Sequence, residues 1–243
     1  MPTYRAPYSD PTRLAFMKKA LEAAAQDAAL GVSYADAAFM AEFTAHYEAY
    51  DEAYVKVQAT LSARVRETAE SVAALERLKM FISHAWYSVY HRKQRLDLPD
   101  AVLEFYLLNA DGSRPSLSTR TEWEAMADHL VQGDAAAVLA GYAAMAEPTA
   151  VELQAALDAS IAEAGDVIRT DREYDEAQEF LATFRAKADD YIRELRDLIL
   201  FGTRKKEPPS QRRILRSYGA EYRYAPGEQV DEGDVTAVVD PTA

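Results

Sequence analysis

The sequence predicts an all-α fold, an elongated bundle of long antiparallel helices. Residues 32–98 contain neither glycine nor proline, so no strong helix breaker interrupts this stretch. A second long stretch follows Pro148. Both carry apolar residues three or four positions apart, the spacing of one buried helix face. The predicted seam includes Phe39, Phe43, Tyr47, Tyr50, Tyr54, Val65 and Val72 in the first stretch and Leu153, Ile161, Ile168, Leu181, Tyr191 and Leu198 in the second.

The composition is that of an ordinary globular protein. Of 243 residues, 49% are apolar and 28% are charged, which is enough apolar material for a real core. The 9 glycines and 10 prolines are few and clustered, which leaves long segments free for helices. The chain is long enough for one large domain or two small ones.

The first 98 residues divide into an arm and two helices. Residues 1–9 read as an extended arm. Asp10 is expected to cap a helix whose first residue is Pro11 and which Gly31 ends. Ser33 is expected to cap a second helix that runs to Leu98-Pro99, about 90 Å if it is unbroken. A break near Asp51-Glu52 or Ser62 is an open alternative.

The rest of the chain predicts shorter helices and one more long one. Residues 99–108 read as a short helix, and 109–115 as a loop. Thr119 or Thr121 caps the next helix, which Gly133-Asp134 interrupts before a short alanine-rich helix continues to about Ala146. Pro148-Thr149 begins the last long helix, which Gly202 and Pro208-Pro209 end, with a possible bend at 169–172.

The two halves of the chain resemble each other. Residues 10–115 and 116–224 each run from short helices to a long helix, a cluster of cations, proline and a short helix ending in tyrosine (Tyr106 and Tyr218). This order favours an internal duplication. The alternative is that cations and proline simply gather at helix ends. Residues 225–243, which contain acidic groups and no Lys or Arg, are expected to form a flexible acidic tail.

The charge and the termini exclude several classes of protein. A formal charge of −13 argues against broad, nonspecific binding to nucleic acid or an anionic membrane. The absence of cysteine excludes disulfides and thiolate metal sites. The N-terminus has no apolar signal core, and no uncharged run approaches the roughly 18 residues that span a bilayer. We therefore expect a cytoplasmic protein without membrane contact.

The residues offer little evidence for a metal or a cofactor. A carboxylate-bridged di-metal bundle needs Glu-x-x-His motifs, and none precedes His46, His84, His91 or His129. Glu42 and His46 share a helix face, but core or boundary packing explains them better. The aromatic stripe from Phe39 to Tyr54 is more typical of a buried seam than of a planar ligand site. We expect no cofactor and no metal.

No nucleophile or phosphate-binding motif is present. Cysteine is absent, and neither the Gly-x-Ser-x-Gly elbow nor a glycine-rich phosphate loop occurs. We therefore expect a protein that is not an enzyme. An enzyme with a ligand buried between its helices is a weaker hypothesis, and membrane remodelling by curved helices is weaker still.

The most distinctive segment is 204–224, which is basic in an otherwise acidic chain. Tyrosines alternate with cations, an arrangement that suits stacking on bases and neutralising phosphates. Docking back on the protein or on a second copy is the favoured explanation; a separate protein partner and a polyanion are the alternatives. The candidate partner-binding residues are Arg204, Lys205, Lys206, Arg212, Arg213, Arg216, Tyr218, Tyr222, Arg223 and Tyr224.

These patterns predict a non-catalytic helical scaffold or protein–protein interaction module. Long helices that present a basic segment suit binding to a protein partner or to copies of the same chain, and we expect a homo-oligomer. The alternative function is binding of nucleic acid or another polyanion through residues 204–224.

Overall fold

A computed structural model describes residues 2–225 and confirms the all-α class. Within this range six helices follow one another: α1 Asp10–Ala29, α2 Ala37–Leu96, α3 Ala101–Glu104, α4 Arg120–Leu139, α5 Ala150–Gly202 and α6 Pro208–Ser217. Two short strands, β1 Thr3–Arg5 and β2 Glu221–Arg223, pair antiparallel, with Tyr4 opposite Tyr222. The predicted acidic tail lies outside the described residues from position 226 onward.

The two helices at the N-terminal end begin for different reasons. α1 starts at Asp10, and proline suits its first turn, where no backbone donor is needed. The predicted cap at Asp10 is wrong by one residue, because Ser9 is the N-cap and Asp10 is the first residue of the helix. α1 ends at Ala29, two residues before Gly31, whose φ of 73° lies in the left-handed region that glycine tolerates. α2 starts later than predicted, because Asp36 caps it by accepting a hydrogen bond of 2.7 Å from the backbone N–H of Phe39.

Both long helices are continuous. α2 has 60 residues and α5 has 53, so neither the predicted break in α2 nor the predicted bend in α5 interrupts its helix. In α5, Arg169 forms ion pairs with Asp166 and Glu173, one turn away on either side, and such pairs stabilise a helix. Between residues 2 and 225, no helix combines the length and the apolarity that crossing a bilayer requires.

The predicted interruption of α4 at Gly133-Asp134 is wrong. A Cβ on Gly133 would lie 1.8 Å from the carbonyl oxygen of Phe105, so glycine is needed for close packing, not for a break. Asp134 is buried and accepts hydrogen bonds of 2.7 Å from the hydroxyl of Tyr106 and the backbone N–H of Met145. The alanine-rich helix expected after it is absent, since α4 ends at Leu139 and residues 140–149 form a loop.

The chain forms two compact units, and each one combines parts of both predicted halves. Unit 1 joins Met1–Ala59 with Glu176–Ala243, and unit 2 is Thr60–Asp175. The core of unit 1 includes Phe16, Met17, Phe43, Tyr50, Ile192 and Leu215. The core of unit 2 includes Leu78, Ile82, Trp86, Leu103, Tyr106, Leu130 and Leu153. The unit boundaries fall inside the two long helices rather than between the halves at residue 115.

Buried positions recur 110 residues apart along the chain. In the short helices, buried Phe16, Met17, Ala20 and Ala23 match buried Met126, Ala127, Leu130 and Gly133. In the long helices, the matching buried pairs are Phe43 and Leu153, Leu78 and Ala188, Ile82 and Ile192, Ala85 and Leu195, and Val89 and Ile199. Left-handed glycines, Gly31 and Gly141, follow both short helices. The two halves therefore use the same pattern of core positions.

Two helical glycines provide a direct test of the packing of α4. Gly133→Ala should lower the free energy of unfolding by about 1–3 kcal/mol, because the new methyl group would collide with the backbone of Phe105. Gly165→Ala in α5 is the matched control, because no atom lies within 4 Å of its added Cβ. The free energy of unfolding of this control should rise by roughly 0.5–1 kcal/mol, because alanine has a higher helix propensity than glycine. Urea denaturation monitored by circular dichroism measures both. Equal effects would contradict the close approach.

Candidate functional site

Tyr218 of the predicted basic site is a core residue of unit 1. It is only 2% exposed, and its hydroxyl donates a hydrogen bond of 2.8 Å to Asp27 in α1. The ring of Tyr34 packs edge-on against it with the centroids 6.0 Å apart. Burial and the bond to Asp27 raise the pKa of Tyr218. Its role is therefore to hold α6 on α1, and it has no surface to offer a partner.

The other two tyrosines of the segment also pack on unit 1. Tyr222 in β2 lies opposite Tyr4, with the ring centroids 6.0 Å apart. Arg216 lies over the rings of Tyr222 and Tyr224, at 5.2 and 5.7 Å, and donates a hydrogen bond to the hydroxyl of Tyr224. These contacts are cation–π pairs within the chain. Tyr222 thus docks the segment on β1, while Arg216 joins α6 to β2 and to Tyr224 within the segment.

Five cations of the segment are exposed on the surface of unit 1: Arg204, Lys205, Lys206, Arg213 and Arg223. Arg204 lies 4.2 Å from the ring centroid of Phe201, which is itself 67% exposed. In the described part of the chain no carboxylate forms an ion pair with Lys205, Lys206 or Arg213. Arg212 is half-buried. Five of the ten predicted partner-binding residues are therefore exposed cations, whereas Tyr218 is buried.

A network of charged and polar groups holds α1 to both long helices in unit 1. Asp10 accepts hydrogen bonds from the hydroxyl of Tyr50 (2.7 Å) and from Nε of Arg185 (2.8 Å). Arg13 donates two hydrogen bonds to Asp189, at 2.7 and 2.9 Å. Burial alone would raise the pKa of Asp10, but the hydrogen bonds from Arg185 and Tyr50 outweigh it and lower that pKa. Burial and Asp10 together raise the pKa of Tyr50.

The matching position in unit 2 carries the opposite charge. Arg120, 110 residues after Asp10, donates hydrogen bonds to the backbone carbonyls of Ser160 (2.9 Å) and Ser71 (3.0 Å) and to both hydroxyls. The hydroxyl of Ser160 donates in turn to Glu124, at 2.9 Å. The first residue of α4 therefore ties this helix to α5 and α2, as Asp10 does for α1.

His46, the histidine considered as a metal ligand with Glu42, packs among aromatic rings. Its ring centroid lies 5.3 Å from that of Tyr191 and 5.6 Å from that of Phe184. Burial lowers its pKa, although a hydrogen bond with the carbonyl of Phe184 opposes this. Glu42 accepts a hydrogen bond of 3.1 Å from the hydroxyl of Tyr191. Both His46 and Glu42 therefore contact side chains of α5 within unit 1.

Unit 2 holds a carboxylate cluster that sequence reasoning missed. One oxygen from each of Glu67, Glu163 and Asp166 lies within 4.8 Å of the others. Arg66 donates to Glu67 and Arg169 donates to Asp166, so two of the three charges are compensated. Glu163 and Asp166 are neighbours on one helix, but Glu67 comes from the other long helix. No sequence spacing could have joined it to them.

Four residues of the predicted seam are exposed instead of buried. Val65 and Val72 in α2 are 63% and 55% exposed, and Ile161 and Ile168 in α5 are 53% and 63% exposed. We name these four the apolar stripe. The buried positions beside them are polar, since Ser71 and Ser160 are 5% and 0% exposed. The expectation that these aliphatic residues fill the core is therefore wrong, because the helices turn polar residues inward at this level.

The members of the apolar stripe lie on one side of unit 2. α2 and α5 run antiparallel here, because Arg64 pairs with Asp171 at 2.5 Å while Arg120 joins Ser71 to Ser160. Val72 directly follows Ser71, and Ile161 directly follows Ser160. Each of the two side chains is therefore rotated by about 100° about its own helix axis from the direction of the serine before it. In an antiparallel pair that rotation places both side chains on the same side. Val65 and Ile168 lie seven residues away, two turns along the same faces.

No protein-family model, curated protein or solved structure matches the chain.

The pH dependence of stability tests the network at Asp10. Asp10→Asn should cost about 1–3 kcal/mol of unfolding free energy at pH 7, because the charged acceptor of Arg185 is lost. Because the pKa of Asp10 is lower in the folded chain, its ionised carboxylate stabilises the fold at pH values above the unfolded pKa of 3.8. This stabilisation is lost as the pH falls through the folded pKa. The difference from wild type should therefore shrink below about pH 4. Asp190→Asn, whose carboxylate side chain is 68% exposed, is the control. A difference that persists at pH 2.5 would show that Asp10 acts through packing alone.

Proposed function

We propose that this protein is a non-catalytic helical scaffold that associates with copies of itself through the apolar stripe. The observation that carries the proposal is the exposure of Val65, Val72, Ile161 and Ile168 on one side of unit 2. Exposed apolar residues grouped on one side of a protein are typical of an interaction site, unlike single scattered apolar residues. β-branched residues at seven-residue spacing are also typical of helix–helix seams.

The energetics favour a second copy as the partner. Fully burying one valine or isoleucine side chain contributes roughly 1.5–3 kcal/mol. A symmetric dimer presents the same patch twice, so every side chain of the stripe contributes twice to the interface. Gly165, between Ile161 and Ile168, has no atom within 4 Å of the place where its Cβ would lie, so a partner helix can approach closely there.

The roles of the buried polar groups support a scaffold. In the described chain, the tyrosines at positions 50, 106 and 218 each donate a hydrogen bond to an aspartate and hold one helix to another. We also infer that the two halves arose by duplication of one helical segment. The recurrence of buried positions at a spacing of 110 residues supports this inference.

The exposed cations favour a second function, binding of nucleic acid or another polyanion. Lys205, Lys206 and Arg213 are exposed near the end of unit 1, in a chain whose formal charge is −13. Phosphate contacts of this kind supply affinity that depends steeply on salt. The stacking on bases that the tyrosines suggested is a weaker part of this proposal, because Tyr218 is buried.

Charged substitutions in the apolar stripe test self-association. The double variant Val72→Glu/Ile168→Glu should weaken the dimer at least tenfold, because it places carboxylates at the centre of an apolar contact. Val151→Glu is the matched control, because Val151 is 79% exposed in α5 of the same unit but outside the stripe. Sedimentation equilibrium over a range of concentrations measures the association. A monomeric wild type, or equal weakening by the control, would contradict the proposal.

The salt dependence of oligonucleotide binding tests the alternative function, polyanion binding through residues 204–224. If the cations bind polyanions, a fluorescent single-stranded oligonucleotide should bind at low salt and dissociate steeply as salt rises. Lys205→Ala/Lys206→Ala/Arg213→Ala should abolish binding, whereas Lys18→Ala/Lys19→Ala, at exposed positions of α1, should have little effect. Fluorescence anisotropy provides the measurement. Binding that does not depend on salt would contradict a phosphate-based site.

A further inference from the structure

Unit 1 contains an apolar pocket beside the loop between α1 and α2. Its volume is about 380 Å³, which lies within the range of about 300–1,000 Å³ that is typical of small-molecule sites. Leu21 and Ala24 of α1, Ala35 of the loop, Met40 of α2 and Leu195 of α5 line it, together with Tyr218. The wall is therefore mostly aliphatic, and one face is the buried tyrosine that joins α6 to α1.

The matching positions in unit 2 show what fills such a space. Ala35 corresponds to Met145 and Ala24 corresponds to Asp134, each 110 residues later. Met145 is 3% exposed and Asp134 is 4% exposed. The carboxylate of Asp134 accepts a hydrogen bond of 2.7 Å from the backbone N–H of Met145, which holds the methionine in the core. Unit 2 therefore places an unbranched side chain of its own where unit 1 has two alanines.

The rest of the lining supports the same correspondence. Tyr218 matches Tyr106, 112 residues earlier, and Leu195 matches Ala85. Tyr106, Ala85 and Met145 belong to one continuous core cluster in unit 2. The pocket of unit 1 is thus the counterpart of a filled core region, and it is open because Ala24 and Ala35 are small.

Three hydroxyls of the lining are occupied by local bonds, and the carboxylate of Asp36, which also lines the pocket, accepts a hydrogen bond from the backbone N–H of Phe39 (2.7 Å). The hydroxyl of Ser33 donates to the carbonyl of Ala35 (2.6 Å), and that of Thr44 donates to the carbonyl of Met40 (2.7 Å). The hydroxyl of Tyr218 donates to Asp27. A strongly polar ligand would lose its hydration without gaining bonds from these groups, whereas an aliphatic chain would not.

We propose that this pocket binds a small molecule with an unbranched aliphatic chain, which occupies the space that the methionine side chain fills in unit 2. The site is separate from the apolar stripe, which lies in unit 2, so binding does not depend on self-association. The driving force is burial of the chain against the alanine and leucine side chains of the wall.

Methionine-methyl NMR of the full chain tests the proposal, with 1-octanol as the probe. Met40 lines the pocket, while Met80 is 45% exposed in unit 2 and reports nonspecific contact with the alcohol. We expect a saturable shift of the Met40 methyl signal and no comparable shift of the Met80 signal. An unmoved Met40 signal, or equal and non-saturable shifts of both signals, would overturn the proposal.

Filling the pocket by mutation provides the matched test. Ala35→Met should weaken octanol binding at Met40 at least tenfold and raise the melting temperature, because the new side chain occupies the space itself. Ala35→Ser, which adds little volume, should keep the Met40 response. Ala24→Leu fills the pocket from α1 and replaces the methionine variant if that one does not fold. An undiminished octanol response in a folded, filled variant would overturn the proposal.

Discussion

The packing of both units depends on one polar residue at the start of each short helix. Asp10 in unit 1 and Arg120 in unit 2 occupy matching positions and carry opposite charges. Each one bonds to both long helices at once, Asp10 through Tyr50 and Arg185, and Arg120 through Ser160 and Ser71. Tyr50 and Ser160 are themselves 110 residues apart. The two units thus share the position of this helix-joining residue, but the residue is an acid in unit 1 and a base in unit 2.

Bonds of this kind constrain more than the two residues that form them. A short helix has a narrow apolar face, and such a face can slide along a pair of long helices by one turn at little cost. A charged group that must meet partners on two helices removes this freedom, because a displaced helix would leave a half-buried charge unpaired. The tyrosine–aspartate bonds act in the same way at the other ends of the short helices: Tyr218 reaches Asp27, and Tyr106 reaches Asp134.

Sequence reasoning recovered the features that depend on neighbouring residues. The start of α1 to within one residue and its end before Gly31 follow from capping and from glycine conformation. It misjudged Gly133, because whether a glycine breaks a helix or admits a neighbouring backbone depends on Phe105, which lies in another element. It also placed Val65 and Val72 in the core, because a spacing rule gives a period but not the rotation of the helix about its axis.

The candidate sites were less accessible to sequence reasoning than the fold. The basic segment stands out by composition, yet Tyr218 is in the core because Asp27, far away in sequence, accepts its hydrogen bond. The carboxylate cluster draws on both long helices, and the pocket at Ala35 is lined by residues from α1, α2 and α5, which are far apart in sequence. Each of these features depends on contacts between segments that are distant in sequence, and a single sequence does not show which distant segments meet.

The way the units divide the chain has a consequence for its synthesis. Unit 2 is a single contiguous stretch, Thr60–Asp175, whereas unit 1 combines α1 with α6 and β2, which come much later in the chain. On a ribosome, every contact within unit 2 becomes available before β2 exists to pair with β1. Until residues 176–223 have been synthesised, nascent unit 1 therefore lacks the parts of α5, α6 and β2 that pack around α1 and β1. During that interval the N-terminal helix is the part of the molecule most in need of a chaperone.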